Sequence, residues 1–154
     1  DSEHLGHRMV ADTITGQGAI GGIVSALHHS QTDAVLVLAC DLPFVRSELL
    51  EMLITEFHQE AYQAVMPTVE GYPQGVLAIY HKDCLSYFES AIQNDQRKLK
   101  TIFAQLEHVS YMDESHWENV DPNGYSFINV NTPDELVRAR DLWRKLEFNE
   151  QYSP

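Results

Sequence analysis

An α/β protein built on a largely parallel sheet is the fold class this sequence predicts, and three observations predict it. Ala34-Val35-Leu36-Val37-Leu38-Ala39 is a continuous apolar run, the signature of a strand buried on both faces of a parallel sheet. Segments of helical spacing flank it, with Ile23, Val24, Ala26 and Leu27 before and Leu49, Leu50, Leu53, Ile54 and Phe57 after. The 154 residues suit one domain with a single core.

In chain order, a short strand is predicted at residues 9–11, ending at Asp12, and residues 13–20 read as a loop containing Gly16 and Gly18. A helix over 21–29 follows, then the apolar strand, which runs into Asp41 ahead of Pro43, then a helix over 46–58. Strands at 63–67 and 75–80 flank a turn at Glu70-Gly71-Tyr72-Pro73. Helices over 82–93 and 98–106 are separated by the polar break Asn94-Asp95-Gln96, and 108–111 reads as an edge strand. Beyond a polar stretch with Pro and Gly at 113–124, residues 125–130 read as a last strand. Thr132-Pro133-Asp134-Glu135 then opens a terminal helix, with Thr as N-cap and Pro at the first helical position. Leu136, Ala139, Leu142, Trp143 and Leu146 supply its buried face, and 147–154 reads as a free tail.

Charge narrows the function. Ten Lys and Arg against 23 Asp and Glu give a formal net charge of −13, which argues against nucleic acid or an anionic membrane as partner. A small anionic substrate would need a metal ion or local donors to bind here. Cys40 and Cys84 are far apart, with no CxxC pair and no His at zinc-ligand spacing, which suits core or near-core thiols in a reducing cytosol. The eight His form no metal-spaced set, and no Ser-His-Asp arrangement stands out. No stretch approaches the ~18 apolar residues of a membrane span, and the first residues lack the pattern of a signal peptide. A soluble, cytoplasmic protein is expected.

Two places carry candidate chemistry. Asp41 sits at the carboxyl end of the apolar strand, where open α/β sheets bind ligands; it either holds a metal-phosphate group or caps the helix that follows. Gly16-Gln17-Gly18-Ala19-Ile20-Gly21 satisfies GxGxxG, with Asp41 downstream at the position of a ribose-binding acid. The polar residues Asp12, Thr13 and Thr15 separate the preceding strand from Gly16, which weakens a dinucleotide reading, and the absence of Gly-Lys-Ser/Thr excludes a Walker A loop. Gly21 and Gly22 at a helix start either offer free N–H groups to an anion or only shape the loop.

Four segments in order resemble the molybdenum cofactor guanylyltransferases. Gly18-Ala19-Ile20-Gly21-Gly22-Ile23-Val24-Ser25-Ala26-Leu27 is similar to that family's G-P-L-x-G-I-x-x-A-L segment, and Cys40-Asp41-Leu42-Pro43-Phe44 to its C-D-M/T-P-F/Y segment. Tyr72-Pro73-Gln74-Gly75-Val76-Leu77-Ala78-Ile79-Tyr80 resembles its strand with Pro and small residues ahead of A-x-Y. Phe127-Ile128-Asn129-Val130-Asn131-Thr132-Pro133-Asp134-Glu135-Leu136 resembles F-x-N-x-N-T-P-E-D-L. The sister cytidylyltransferases more often carry aspartates where this chain has Asn129 and Asn131, which favours the guanyl branch.

The resemblance implies a three-layer α/β/α sandwich of the glycosyltransferase-A-like (Rossmann-like) nucleotidyltransferase type, with a mostly parallel mixed sheet. It implies transfer of GMP from GTP to molybdopterin with release of pyrophosphate, dependent on Mg²⁺ or its substitute Mn²⁺. Asp41 would hold the metal and, with Asn131, act in catalysis. Asp12, Gly21, Gly22 and Asp41 would serve the nucleotide, and Pro73, Gln74, Arg97 and Asn129 the molybdopterin, with molybdenum-insertion and molybdoenzyme-maturation proteins as further partners. The competing reading is a nucleotide- or dinucleotide-binding domain without catalysis. Family members open with a strand and an L-A-G-G-x-S-x-R-M-G-x-D-K loop that has no counterpart before Asp12. The cell-made polypeptide is therefore expected to be longer, since that segment would pair strands otherwise left open.

Overall fold

In the computed structural model, which describes residues 18–152, the helices are α1 (Gly18–His29), α2 (Ser47–Phe57), α3 (Leu85–Gln93), α4 (Leu99–Phe103), α5 (Glu114–Trp117) and α6 (Pro133–Tyr152). The strands are β1 (Ala34–Leu38), β2 (Ala64–Val69), β3 (Tyr72–Pro73), β4 (Leu77–His81) and β5 (Val109–Met112). The strand expected at 9–11, with Asp12 and Gly16, lies outside the described residues.

Alternation along β2 and β4 builds the layers, because successive side chains leave a strand on opposite faces. Ala64, Met66, Ala78 and Tyr80 point to one side, where they pack with Ile20, Val24 and Leu27 of α1, Phe88 of α3 and Ile102 and Phe103 of α4. Val65, Leu77 and Ile79 point to the other, against Leu49 and Leu53 of α2, Met112 and Trp117. A sheet covered on both faces is the expected three-layer sandwich.

The sheet is mixed, as expected, but not mostly parallel in its pairings: among the described residues only β2 and β5 pair in parallel. β4 lies between β1 and β2 and is antiparallel to both, and β5 runs parallel to β2, so β1, β2 and β5 share one direction and β4 opposes them. β4 arrives by a hairpin. Val69 faces Tyr72 across a two-residue loop, Glu70-Gly71, in which both residues have positive φ (50° and 77°), the combination that a type I′ turn requires. Tyr72 and Pro73, expected inside the turn, thus form the short return strand β3. Continued without interruption, this register would set Val65 opposite Val76; it faces Ile79, so Gln74-Gly75-Val76 bulges out of the ladder. Gly75 is needed there, since a Cβ would run into the Phe103 ring, and its carbonyl accepts from the buried Tyr80 hydroxyl at 2.6 Å.

Several expectations are corrected. β1 is not buried on both faces: α2 packs over β2 and β4, so Leu36 and Leu38 on that face are 41% and 45% exposed. Among the described residues β1 pairs only with β4 and is an edge strand. Residues 125–130 are not a strand. The fully buried Asp121 carboxylate accepts from the Tyr125 and Ser126 N–H groups, at 3.0 and 2.8 Å, and winds Tyr125–Phe127 into a 3₁₀ turn after Gly124, whose φ is 63°. The helix expected over 82–93 begins as a 3₁₀ turn, Lys82–Cys84, and α1 starts at Gly18, inside the expected loop. On α6 only Ala139 of the expected buried face is buried; Leu136 and Trp143 are exposed. With no Gly or Pro between Pro133 and Pro154, α6 runs on to Tyr152, through most of the expected tail. Cys40 is exposed, having left the sheet before its side chain could be covered, whereas Cys84 is buried as expected. Among the described residues, no helix is long and apolar enough to cross a membrane.

Candidate active site

The chain leaves β1 through Cys40-Asp41-Leu42-Pro43-Phe44, and burial of Leu42 and Phe44 anchors this turn while Asp41 is left beside a cavity. From the other direction, the extended residues after Phe127 pass alongside, and the Val130 N–H donates to the Asp41 carbonyl at 2.8 Å. That single backbone bond brings two distant parts of the sequence together. The cavity, of about 590 Å³, is lined by Cys40, Asp41, Asn131 and the first turns of α6. A capping box holds Asn131 there. The Thr132 hydroxyl accepts from the Glu135 N–H at 3.2 Å, and the Glu135 carboxylate accepts from the N–H groups of Asn131 and Thr132 at 2.8 and 2.9 Å. Those backbone donors hold the Glu135 carboxyl below its ordinary range.

Asp41 does not cap the next helix. The N-cap of α2 is Arg46, whose side chain makes no capping bond. Instead Asp41 Oδ1 is buried without a hydrogen-bond partner among the described residues. A buried carboxylate oxygen with no donor is costly to maintain, and a cation at the cavity would offset that cost. No group of three or more His, Cys, Asp or Glu side chains suited to a metal occurs among the described residues. One carboxylate beside a cavity fits Mg²⁺, which takes one or two protein oxygens and completes its shell from water and substrate phosphate.

A second groove, of about 350 Å³, lies beside the same strand end. It is lined by Ala19, Gly22, Ile23 and Ala26 of α1, by Leu36 to Ala39, and by Val76. Gly21 is buried against the core and Gly22 opens to the groove, where a Cβ would meet nothing within 4 Å. Two grooves thus adjoin residues 39–41.

The structure gathers some of the candidates and leaves others apart. Asp41 and Asn131 share one cavity, and Gly22 lines the neighbouring groove. Asn129 is exposed and lines neither. Pro73 is paired in β3 and Gln74 is tied into the bulge, its N–H donating to the Pro67 carbonyl. The Arg97 guanidinium donates twice to Asp95, at 3.0 and 3.1 Å, on a surface away from both grooves. Sequence reasoning passed over Arg140 and placed Trp143 in the core; both line the cavity beside Asp41. Their spacing from Leu136 was the available signal, since i, i+4 and i+7 share a helix face.

Comparison with known proteins agrees with this geometry. The sequence family described as the MobA-like NTP transferase domain matches residues 1–109. A "probable molybdenum cofactor guanylyltransferase" of Flavobacterium johnsoniae is 33% identical over 135 residues, 87% of this chain and 67% of that protein. Its counterpart in Pelotomaculum thermopropionicum is 35% identical over 137 residues, covering 88% and 65%. The crystal structure of molybdopterin-guanine dinucleotide biosynthesis protein A from Archaeoglobus fulgidus superposes with a TM-score of 0.75 at 35% identity, over 83% of this chain and 64% of that one. The chain spans about two thirds of the length of the relatives it matches.

Proposed function

We propose that this chain, which belongs to the MobA-like NTP transferase family, transfers GMP from GTP to the terminal phosphate of molybdopterin. An oxygen of the acceptor phosphate attacks the α-phosphorus of GTP, the bond from that phosphorus to the bridging oxygen of the β-phosphate breaks, and pyrophosphate leaves with the electron pair. The observation that carries the reading is Asp41, one of whose carboxylate oxygens is buried with no hydrogen-bond partner among the described residues, lining a cavity with Asn131 at the carboxyl end of β1.

Asp41 is the residue that would hold Mg²⁺, or Mn²⁺ in its place, and such an ion would supply neutralisation of charge on the transferring phosphoryl group and the leaving pyrophosphate. The chain's own part is positioning. Gly22 lets the backbone at the start of α1 approach a nucleotide in one groove. Asn131, fixed by the Glu135 capping box, offers an amide to a phosphate oxygen in the other. No protein nucleophile is required. Guanyl preference over cytidyl is supported by Asn129 and Asn131 and by the names of the relatives.

Calorimetric titration of the intact, cell-made protein tests this. GTP is expected to bind only with Mg²⁺, CTP more weakly, and Asp41→Ala to abolish Mg²⁺-dependent binding without loss of fold. Equal affinity for GTP and CTP would remove the guanyl assignment, and metal-independent binding of NAD lost on Gly18→Val would favour a dinucleotide module.

A further inference from the structure

Five arginines lie among the described residues, and four of them face carboxylates. Arg46 pairs with Glu48 at 3.6 Å, Arg97 with Asp95 at 3.0 Å and Arg144 with Asp141 at 3.6 Å, while the charge of Arg138 acts on Glu135. Arg140 has no such partner among the described residues, in a chain with 23 acidic residues to 10 basic ones. It is also the one cationic residue lining the cavity that holds Asp41 and Asn131. One turn further, Trp143 stacks on Phe44 with ring centroids 6.2 Å apart and an interplanar angle of 25°, yet is 51% exposed. The other tryptophan, Trp117, is 6% exposed and its indole N–H donates to the Thr68 carbonyl at 3.0 Å. Arg140 and Trp143 share a helix face with Leu136 and Ala139, and all four line the cavity.

We propose that Arg140 and Trp143 form the acceptor subsite, Arg140 pairing with the phosphate of the pterin substrate and Trp143 with its planar ring. An open aromatic face beside a guanidinium, in a mostly apolar cavity of ligand size that also holds Asp41 and Asn131, matches a flat heterocycle carrying a phosphate. The groove past Gly22 is left to the nucleotide, so the two substrates occupy separate grooves that adjoin at the Asp41 end of β1. This rests on the reaction proposed above. Neither side chain takes part in bond making; both are positioning residues.

Steady-state kinetics with molybdopterin and tryptophan emission, both on the intact protein, test the assignment. Arg140→Gln is expected to raise KM for molybdopterin by about tenfold to a hundredfold, the loss of a charge-assisted contact, with KM for GTP unchanged and Arg140→Lys recovering part of it. Molybdopterin should quench the emission of the wild type and GTP should not, and Trp143→Phe should abolish the quenching and raise KM for molybdopterin while KM for GTP stays unchanged. Unchanged molybdopterin KM in Arg140→Gln, or quenching by GTP alone, overturns the subsite while wild-type Mg²⁺·GTP binding leaves the reaction standing. Failure of the wild type to bind Mg²⁺·GTP overturns both.

Discussion

The middle of the sheet and its β1 rim are built from the same kinds of residue and end in opposite states. β2 and β4 place Ala64, Val65, Met66, Leu77, Ala78 and Tyr80 wholly out of solvent, with the Tyr80 hydroxyl satisfied by the Gly75 carbonyl. At the rim, Leu36 and Leu38 stay open, Trp143 is half-exposed, and one oxygen of Asp41 is buried with no donor among the described residues. Burial with every polar group paired is what stabilises a fold; an unpaired buried carboxylate and uncovered apolar walls are what bind something else. On the proposed reading, stability is concentrated in the middle of the sheet and chemistry at its β1 rim.

That division can be broken most directly at its closed end. Phe88→Ala should cost about 3–5 kcal/mol in denaturant unfolding, because the ring is buried edge-on against Tyr80 and nothing can refill its place. At the open end Asp41→Asn should do the reverse, lowering transfer activity by roughly a hundredfold or more while leaving the fold no less stable than wild type, since it removes a charge whose buried oxygen has no donor among the described residues. A large stability loss in Asp41→Asn would show that the rim is part of the structural core after all. Gly75→Ala sharpens the contrast, since it adds a methyl group against Phe103 and should cost about 1–3 kcal/mol by overpacking, with little effect on nucleotide binding.

A smaller effect is expected at Glu135, whose carboxylate orders the Asn131 loop. Its folded-state pKa is depressed, so its contribution is complete above the ordinary value of 4.5 and is lost as pH falls through the lower folded value. Wild-type stability measured from pH 6 downward should therefore fall with a component that Glu135→Gln lacks. The mildest probe is alkylation. Cys40 is exposed and should react with iodoacetamide in the native protein. Cys84, whose thiol burial pushes up to about 12 and whose Sγ donates to the Gln63 carbonyl at 3.1 Å, should react only on unfolding.

Much of the middle was legible in the sequence and much of the rim was not. Helix α2 was found within one residue at each end because Leu49, Leu53 and their neighbours repeat with helical period. Thr132-Pro133 marked the start of α6 because a cap and a proline act locally. The strand expected at 125–130 failed because its pattern is apolar while its conformation is set by Asp121, whose carboxylate takes the backbone donors of Tyr125 and Ser126. The apolar run of β1 was read as doubly buried because periodicity reports hydrophobicity and is silent on which helix covers which strand. Of the residues lining the Asp41 cavity, Asp41 and Asn131 were singled out from sequence and Arg140 and Trp143 were not, since nothing local to a helix says that its apolar stripe faces a cavity instead of a core.

Local sequence specifies the α/β alternation, both ends of α2 to within a residue, the start of α6, the strand-end Asp41 and the family, because propensity, capping and motif order are properties of neighbouring residues. Tertiary packing alone sets the reversed β4 between β1 and β2, the contact of the Val130 N–H with the Asp41 carbonyl, and the burial of Asp41 Oδ1 with no partner among the described residues. Each of these joins residues far apart in the chain, and such contacts form only when distant segments are packed against one another, where burial and hydrogen-bond satisfaction of the whole molecule select among arrangements that local preference leaves equal.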